Sequence, residues 1–480
     1  MVARRAWPHI LVLLCLSVGL RADATLLDRR LDAILSDGLL ASASVGVLVV
    51  ETQSGETLYE RDADRALMPA SNMKLVTTLA ALQFLGAEYR YTTALCAERG
   101  PDDGGRMGGD LYVRGGGDPT LTHEHLAEMA AALAEAGVRR ITGDVVADGS
   151  CFPGPPLGTG WPWDDESHAY SAQVSGLGVD GNAVKVEVTT GDEPGYPCTL
   201  TLSPPSDYLT LDPACVAAAA GAKPPTLFRR RAQNVVAATG PVPAGGHVSG
   251  VVTLENPGLY AARLLQSALA EKGIRVEGAC REGVTPQGAR VLASHESASL
   301  PDLLAAMNVP SDNGIAEALL RTIPLAQGRQ GTADEAARMI EAWLPEVGVH
   351  PQALRLCDGS GLSRLDLLTP RALVGLLRYA ATHRELGGPL VTSLPLAGSN
   401  GTLARRMKGT PAEGRIRAKT GSLWGVSSLS GYALDGEECA LTFSLLVNNY
   451  RCDGTAVRRL QDQACVAMVR HLTARRGVRD

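Results

Sequence analysis

Pro69-Ala70-Ser71-Asn72-Met73-Lys74 leads into Leu75, Val76, Leu79, Ala80, Leu82 and Leu85, and the run stops at Gly86. The apolar spacing predicts a helix with glycine as its stop. Apolar residues fall on nearly every side of it, which places it inside a domain rather than on a surface. Ser71 and Lys74 are three apart, so a helix starting here puts hydroxyl and amine on one face. The helix dipole at its first turn favours a developing oxyanion. A desolvated lysine gives up its proton more readily and can act as a base. The pair therefore has the form of an activated nucleophile. Taken alone, a helix-starting serine beside a solvated lysine is the commoner reading of such a pair, so the rest of the chain has to decide.

The chain has 480 residues, 45% hydrophobic and 20% charged, with a net charge of -6. This is the composition of a globular protein of several domains. Nothing in it points to nucleic acid. Arg4 and Arg5, the apolar run Ile10 to Leu20 and Ala22-Asp23-Ala24 read as a signal peptide over 1–24. The apolar run is too short to cross a bilayer comfortably. Export to the periplasm or the extracellular cell-wall space is expected, with membrane contact at most peripheral. The sequence does not fix the oligomeric state. Ten cysteines, Cys15 among them, include no Cys-x-x-Cys pair, so no zinc or redox motif is indicated. Export allows disulfides, whose pairing is not legible.

The expected order begins with a helix over 25–40 and a hairpin of Ser44 to Glu51 with Thr57 to Arg61. From about residue 90 the chain becomes rich in Gly and Pro, with short strands. Residues 91–250 read as one or two inserted β-rich domains, and His247 to Leu254 as the return to the main domain. Within the insert, Thr122 can cap a helix from His123 to Ala136. His123 and His125 diverge on such a helix, which argues for a solvated face over a metal site. After 251, helices punctuated by Pro310, Pro324 and Pro345 precede a meander of Arg415 to Lys419, Val426 to Tyr432 and Cys439 to Val447, with turns at Gly421 and at Asp435-Gly436. A final helix, Thr455 to Ala474, can pack on the sheet through Val457, Leu460, Ala464, Ala467 and Met468.

Two later motifs join the first. Ser311-Asp312-Asn313 precedes a helix, and in extended chain Ser311 and Asn313 point the same way. Lys419-Thr420-Gly421-Ser422 ends a strand candidate. It offers one cation and two hydroxyls, with a glycine that leaves room for a substrate along the strand. Ser-x-x-Lys, Ser-Asp-Asn and Lys-Thr-Gly in this order are the signature of penicillin-binding proteins and class A β-lactamases.

Longer stretches resemble one family, the D-alanyl-D-alanine carboxypeptidase/endopeptidases, which are low-molecular-mass class C penicillin-binding proteins. They are Ala70 to Lys74, Met307 to Glu317, Asp358 to Arg364, Leu394 to Gly398, Gly401 to Leu403, Ala418 to Gly421 and, in the insert, Gly115 to Pro119. The separation of 240 positions between Ser71 and Ser311 fits that family's large insertion. The resemblance implies an α+β fold of the penicillin-binding-protein/serine β-lactamase type, an antiparallel sheet flanked by helices. The catalytic domain would be 25–90 with 251–480. It implies peptidoglycan stem peptides as substrates, β-lactams as covalent inhibitors, and no cofactor or metal. By the same resemblance Ser71 is the acylated nucleophile, Lys74 its base, and Ser311 the proton relay to the leaving amine. Asn313 binds the substrate amide, Lys419 sets the potential, and Thr420 and Ser422 hold the terminal carboxylate beside Gly421. The backbone N–H groups of Ser71 and Ser422 form the oxyanion hole. Asp358, Ser360 and Arg364 are given no catalytic role, a turn being the simpler account. A β-lactamase or a non-catalytic wall-binding protein would carry the same fold.

Overall fold

A computed structural model describes residues 26–219 and 225–476. The expected signal segment, 1–24, lies outside them. The chain divides into two units. The first holds the described residues up to Gln83, Leu304–Ser311 and those from Arg338 on; the second is Phe84–Leu303 with Asp312–Ala337.

The first unit is built on β1 (Ser44–Glu51), β2 (Thr57–Arg61), α1 (Met73–Leu85), α2 (Pro370–Thr382), β3 (Ile416–Leu423), β4 (Val426–Asp435), β5 (Glu438–Asn448) and α3 (Gly454–Arg476). Its sheet is antiparallel in the order β2-β1-β5-β4-β3. Alternate residues of a strand face opposite sides, and here both sides are covered. Val45, Val47 and Val49 of β1 share a core with Val457, Ala464 and Met468 of α3 and with Leu27 and Leu31 of a helix at 26–35. Leu48 and Val50 instead pack with Val374 of α2. That explains the unbroken apolar run of β1. The predicted contacts of the last helix are thus made with the sheet. Tyr432 on β4 also donates its buried hydroxyl to the Leu377 carbonyl of α2 at 2.7 Å.

The α1 helix is buried from Met73 to Leu82, as its all-round apolar pattern requires. Ser71 precedes it in a short 3-10 turn, Ala70–Asn72. Asn308, itself fully buried, donates through Nδ2 to Thr78 Oγ1 and to Ser393 Oγ, both at 3.0 Å. It thereby ties α1 to the segment that carries Ser311. Removing that amide takes a buried partner from each of the two hydroxyls. Asn308→Ala is expected to lower the unfolding free energy by about 2 kcal/mol, read as a lower denaturant midpoint at unchanged slope. An unmoved midpoint would mean that the network adds nothing.

Two expectations about the chain path are corrected. The first turn of the meander is not at Gly421. β3 continues to Leu423, which pairs with Val426, and the turn is Trp424-Gly425, with Gly425 at φ +73°. Nor does the chain return to the main domain at 251. His247–Thr253 pairs antiparallel with Ala183–Thr189, and Arg290–Glu296 with Thr92–Ala97, all in the second unit. Tyr260, Ala261 and Leu265 of the helix Pro257–Glu271 join the same core as Leu95, Val113 and Val145. The first unit resumes at Leu304.

Candidate active site

The positions expected to do chemistry in the first unit come from three segments: the turn before α1, the end of the 304–311 segment, and β3. Lys74 is fully buried. Its Nζ donates to Ser71 Oγ at 3.2 Å and to the Ser360 carbonyl at 2.8 Å. Ser71 itself is only half-buried, so its hydroxyl can meet an incoming group. Ala70, just before it, has φ +46°, and Ser311 has φ +71°. Both are unusual for residues bearing a Cβ, and such strain gathers at functional sites.

A second lysine–serine pair stands beside the first. Lys419, also fully buried, donates to Ser311 Oγ at 2.8 Å and to the Thr420 carbonyl at 3.0 Å. Burial, and then the charge of Lys74, hold the Lys419 amine well below the ordinary lysine range. The turn before α1 and β3 are bound together directly. Asn72 Nδ2 donates to the Lys419 carbonyl at 2.9 Å, and Ser428 Oγ on β4 to the Pro69 carbonyl at 2.6 Å.

Gly421 is what allows this approach. A Cβ there would lie 2.1 Å from Ser428 Oγ, 2.8 Å from Pro69 O and 2.9 Å from Ser71 N. The missing side chain therefore makes room for the protein's own Ser71 turn. β3 is also the edge strand of the sheet. Its outer edge is covered at the start, where Ala418 N–H donates to Pro395 O at 3.1 Å and Ala397 N–H to Ile416 O at 2.9 Å. With a period of two, the N–H groups of Thr420 and Ser422 point to the same outer side.

A buried Ser-x-x-Lys dyad, a second Lys–Ser pair and an edge strand carrying Lys-Thr-Gly are thus assembled in one unit. A scan against family models matches residues 27–472 to the D-Ala-D-Ala carboxypeptidase 3 (S13) family. The chain belongs to that family. A D-alanyl-D-alanine carboxypeptidase from an Actinomadura species is 40% identical over 466 residues, covering 94% of this chain and 86% of the relative. A D-alanyl-D-alanine carboxypeptidase of Haemophilus influenzae is 28% identical over 421 residues, covering 87% of this chain and 88% of the relative. The crystal structure of penicillin-binding protein 4 from Haemophilus influenzae superposes with a TM-score of 0.81 at 26% identity, covering 92% of this chain and 99% of that one. The same protein has been solved complexed with a β-lactam. The fold expected from the motifs, a penicillin-binding domain with a large insertion, is the one this carboxypeptidase-family chain adopts.

The family motif residues not yet placed are these. Thr420 Oγ1 donates to Thr402 Oγ1 at 2.8 Å, so the Gly401 to Leu403 stretch braces β3. The Ser422 side chain is exposed on β3. Asn313 belongs to the second unit, where it opens the helix Asn313–Ala326 capped by Asp312. Its Nδ2 donates to the Tyr170 carbonyl at 2.8 Å. His123 and His125 diverge as expected. The first has Nδ1 at 2.9 Å from Asp180 Oδ2, while His125 Nδ1 accepts the Thr122 N–H and its ring stacks on His295.

The Asp358 to Arg364 turn carries more than sequence reasoning gave it. The Ser360 carbonyl holds Lys74, and the Gly359 carbonyl accepts from Thr77 Oγ1 at 2.7 Å. Asp358 fixes the turn by accepting Gly361 N–H at 2.6 Å and Ser363 N–H at 2.7 Å. Asp366 accepts Cys357 N–H at 2.7 Å. Burial, then the Asp358 carboxylate beside it, hold the Asp366 carboxyl well above the usual range. A protonated Asp366 can donate to Asp358 and keep the two buried acids together. These residues position the lysine through backbone atoms. The one sequence signal for them is Gly361, whose φ is +79°.

Proposed function

We propose that Ser71 is the nucleophile of a serine D-Ala-D-Ala carboxypeptidase and/or D,D-endopeptidase that acts on peptidoglycan stem peptides. Lys74 takes the Ser71 proton as the hydroxyl attacks the carbonyl of the penultimate D-Ala, and the N–H groups of Ser71 and Ser422 receive the oxyanion. Ser311, held by Lys419, passes a proton to the departing amine. Thr420 and Ser422 bind the terminal carboxylate, and Asn313 binds the substrate amide. Water then releases the acyl group. β-Lactams acylate the same hydroxyl. The protein is exported; cleavage of residues 1–24 would deliver it to the periplasm or the cell-wall space. The observation that carries the reading is a fully buried Lys74 whose Nζ reaches Ser71 Oγ at 3.2 Å, next to a second buried lysine.

The test uses pentapeptide and cross-linked muropeptides. D-Ala release, dimer cleavage or both are expected, blocked by penicillin. A folded protein that releases no D-Ala and opens no cross-link would refute the reading. Rapid catalytic penicillin hydrolysis would replace it with a β-lactamase.

The two lysines also predict a pH dependence. Each charge disfavours the other, so the Lys419 ammonium, when present, helps to keep Lys74 neutral. Acylation needs the neutral amine and is lost as pH falls. Removing the second charge with Lys419→Gln should move this acid limb to higher pH, besides slowing the reaction. An acid limb that stays in place, or moves to lower pH, would show that Lys419 does not act through charge.

A further inference from the structure

Cys198 and Cys215 stand opposite each other in the second unit. The segment through Tyr196 and Cys198 runs antiparallel to that through Cys215 and Ala217. Cys198 N–H donates to Cys215 O at 3.3 Å, Ala217 N–H donates to Tyr196 O at 2.8 Å, and Pro197 bridges Val216 between them. Residues directly opposite in such a ladder project to the same face, with Cα atoms about 5.5 Å apart at a hydrogen-bonded position. That spacing lies in the range most common for disulfides. The alternation agrees. Cys198 and Cys215 are 5% and 2% exposed, whereas Val216, in the next pair along the ladder, is 51% exposed. Both cysteines belong to the core formed with Leu200, Leu209, Val236 and Val242.

We propose that Cys198 and Cys215 form a disulfide in the exported protein. An exported chain meets oxidising surroundings in which such a bond persists. The oxidant is a disulfide-bearing molecule or oxidoreductase. One cysteine thiolate attacks a sulfur of that disulfide and releases one thiol. The second thiolate then displaces the other. Two protons and two electrons leave the cysteine pair, the oxidant ends as two thiols, and one S–S bond replaces two S–H bonds. Burial, with Cys198 alongside, pushes the Cys215 thiol up to about 12, so its thiolate is scarce once this face is closed. Oxidation therefore belongs to folding rather than to the finished protein. The bond would join the strand Thr199–Ser203, in a sheet with Ala183–Thr189 and His247–Thr253, to the strand Cys215–Ala218, in a sheet with Val235–Pro243. The bond would staple the two small sheets through a short loop.

The test is peptide mapping of the exported protein, alkylated without reductant. Trypsin leaves both cysteines in Val186–Arg229, because Lys223 precedes Pro224. Adding an Asp-specific protease separates Asp192–Ser206, with Cys198, from Asp212–Arg229, with Cys215. The expected result is one joined species, about 2 Da lighter than the two free peptides together, that disappears on reduction. Alkylated Cys198 and Cys215 without reductant, or either one joined to a different cysteine, would overturn the proposal. Reductant should also lower the melting temperature of the wild type by about 5 °C and leave that of Cys198→Ser/Cys215→Ser unmoved. An equal response in both proteins would overturn the stabilising role. The mapping stands on the wild type alone should that variant fail to fold.

Discussion

Ser71→Ala is expected to leave no penicillin adduct and to lower D-Ala release by about 10⁴-fold or more, because a nucleophile and its base act as one unit. The wild type should gain one penicillin mass on the peptide that contains Ser71. The loss should not come from unfolding. The Ser71 side chain is half-buried and its hydroxyl receives Lys74 Nζ at 3.2 Å, while Lys74 keeps the Ser360 carbonyl at 2.8 Å. The unfolding free energy should therefore shift by no more than about 1 kcal/mol. Intact-mass analysis and a melting curve on both proteins give the answer together. A Ser71→Ala protein that still forms a stable adduct places the nucleophile elsewhere. Should the variant lose both adduct and fold, Ser71→Cys, which keeps a nucleophile in place, separates the two causes: an adduct on the introduced thiol would restore the assignment, and a folded protein without one would end it.

How far the sequence carried the reading depends on whether a feature is local. The α1 helix was legible because its burial is written in its own residues, from Met73 to Leu82. The Thr122 cap and the C-terminal helix that packs on the sheet were legible for the same reason. The extent of the inserted unit was not. It depends on Arg290–Glu296 finding Thr92–Ala97, a pairing between distant segments that composition does not encode. The helix Arg384–Ser393 escaped because Gly387, Gly388 and Pro389 sit inside it, against ordinary propensity.

Within the site, the motifs named side chains that the fold brings together. Ser71, Lys74, Ser311 and Lys419 were named by motif, and they meet as two lysine–serine pairs. Residues that act through backbone atoms were missed. Nothing in the letters Asp358-Gly359-Ser360 announces that two carbonyls will hold Thr77 and Lys74. Gly421 was singled out for its missing side chain, and the structure shows a neighbour the sequence does not. The space it opens is filled by Pro69 O and Ser71 N. The recurring motif is thus partly a record of how closely the chain must pass itself.

That view gives the second large effect. At Gly361 a Cβ would lie 1.9 Å from the Ala70 carbonyl oxygen, 2.4 Å from its carbon and 3.0 Å from Ser71 N. These are backbone atoms and have no rotamer to escape into. The turn cannot easily retreat, because Asp358 grips both Gly361 N–H and Ser363 N–H. If it does retreat, the Ser360 carbonyl leaves Lys74; if it stays, the Ala70–Ser71 peptide must move. Either way the dyad is displaced by an appreciable fraction of an ångström to an ångström, which costs about 10²-fold in a reaction of this kind. Gly361→Ala should therefore slow acylation by labelled penicillin by about 10²-fold or more. Part of any accompanying loss of stability comes simply from φ +79°, at which an alanine is strained. Gly348→Ala isolates that part, since Gly348 has φ +73° and nothing within 4 Å of its would-be Cβ. The control should lose stability and keep its acylation rate. If Gly361→Ala acylates as fast as the control, the turn's grip on Lys74 is structural only, and the alignment of the dyad resides in α1 alone.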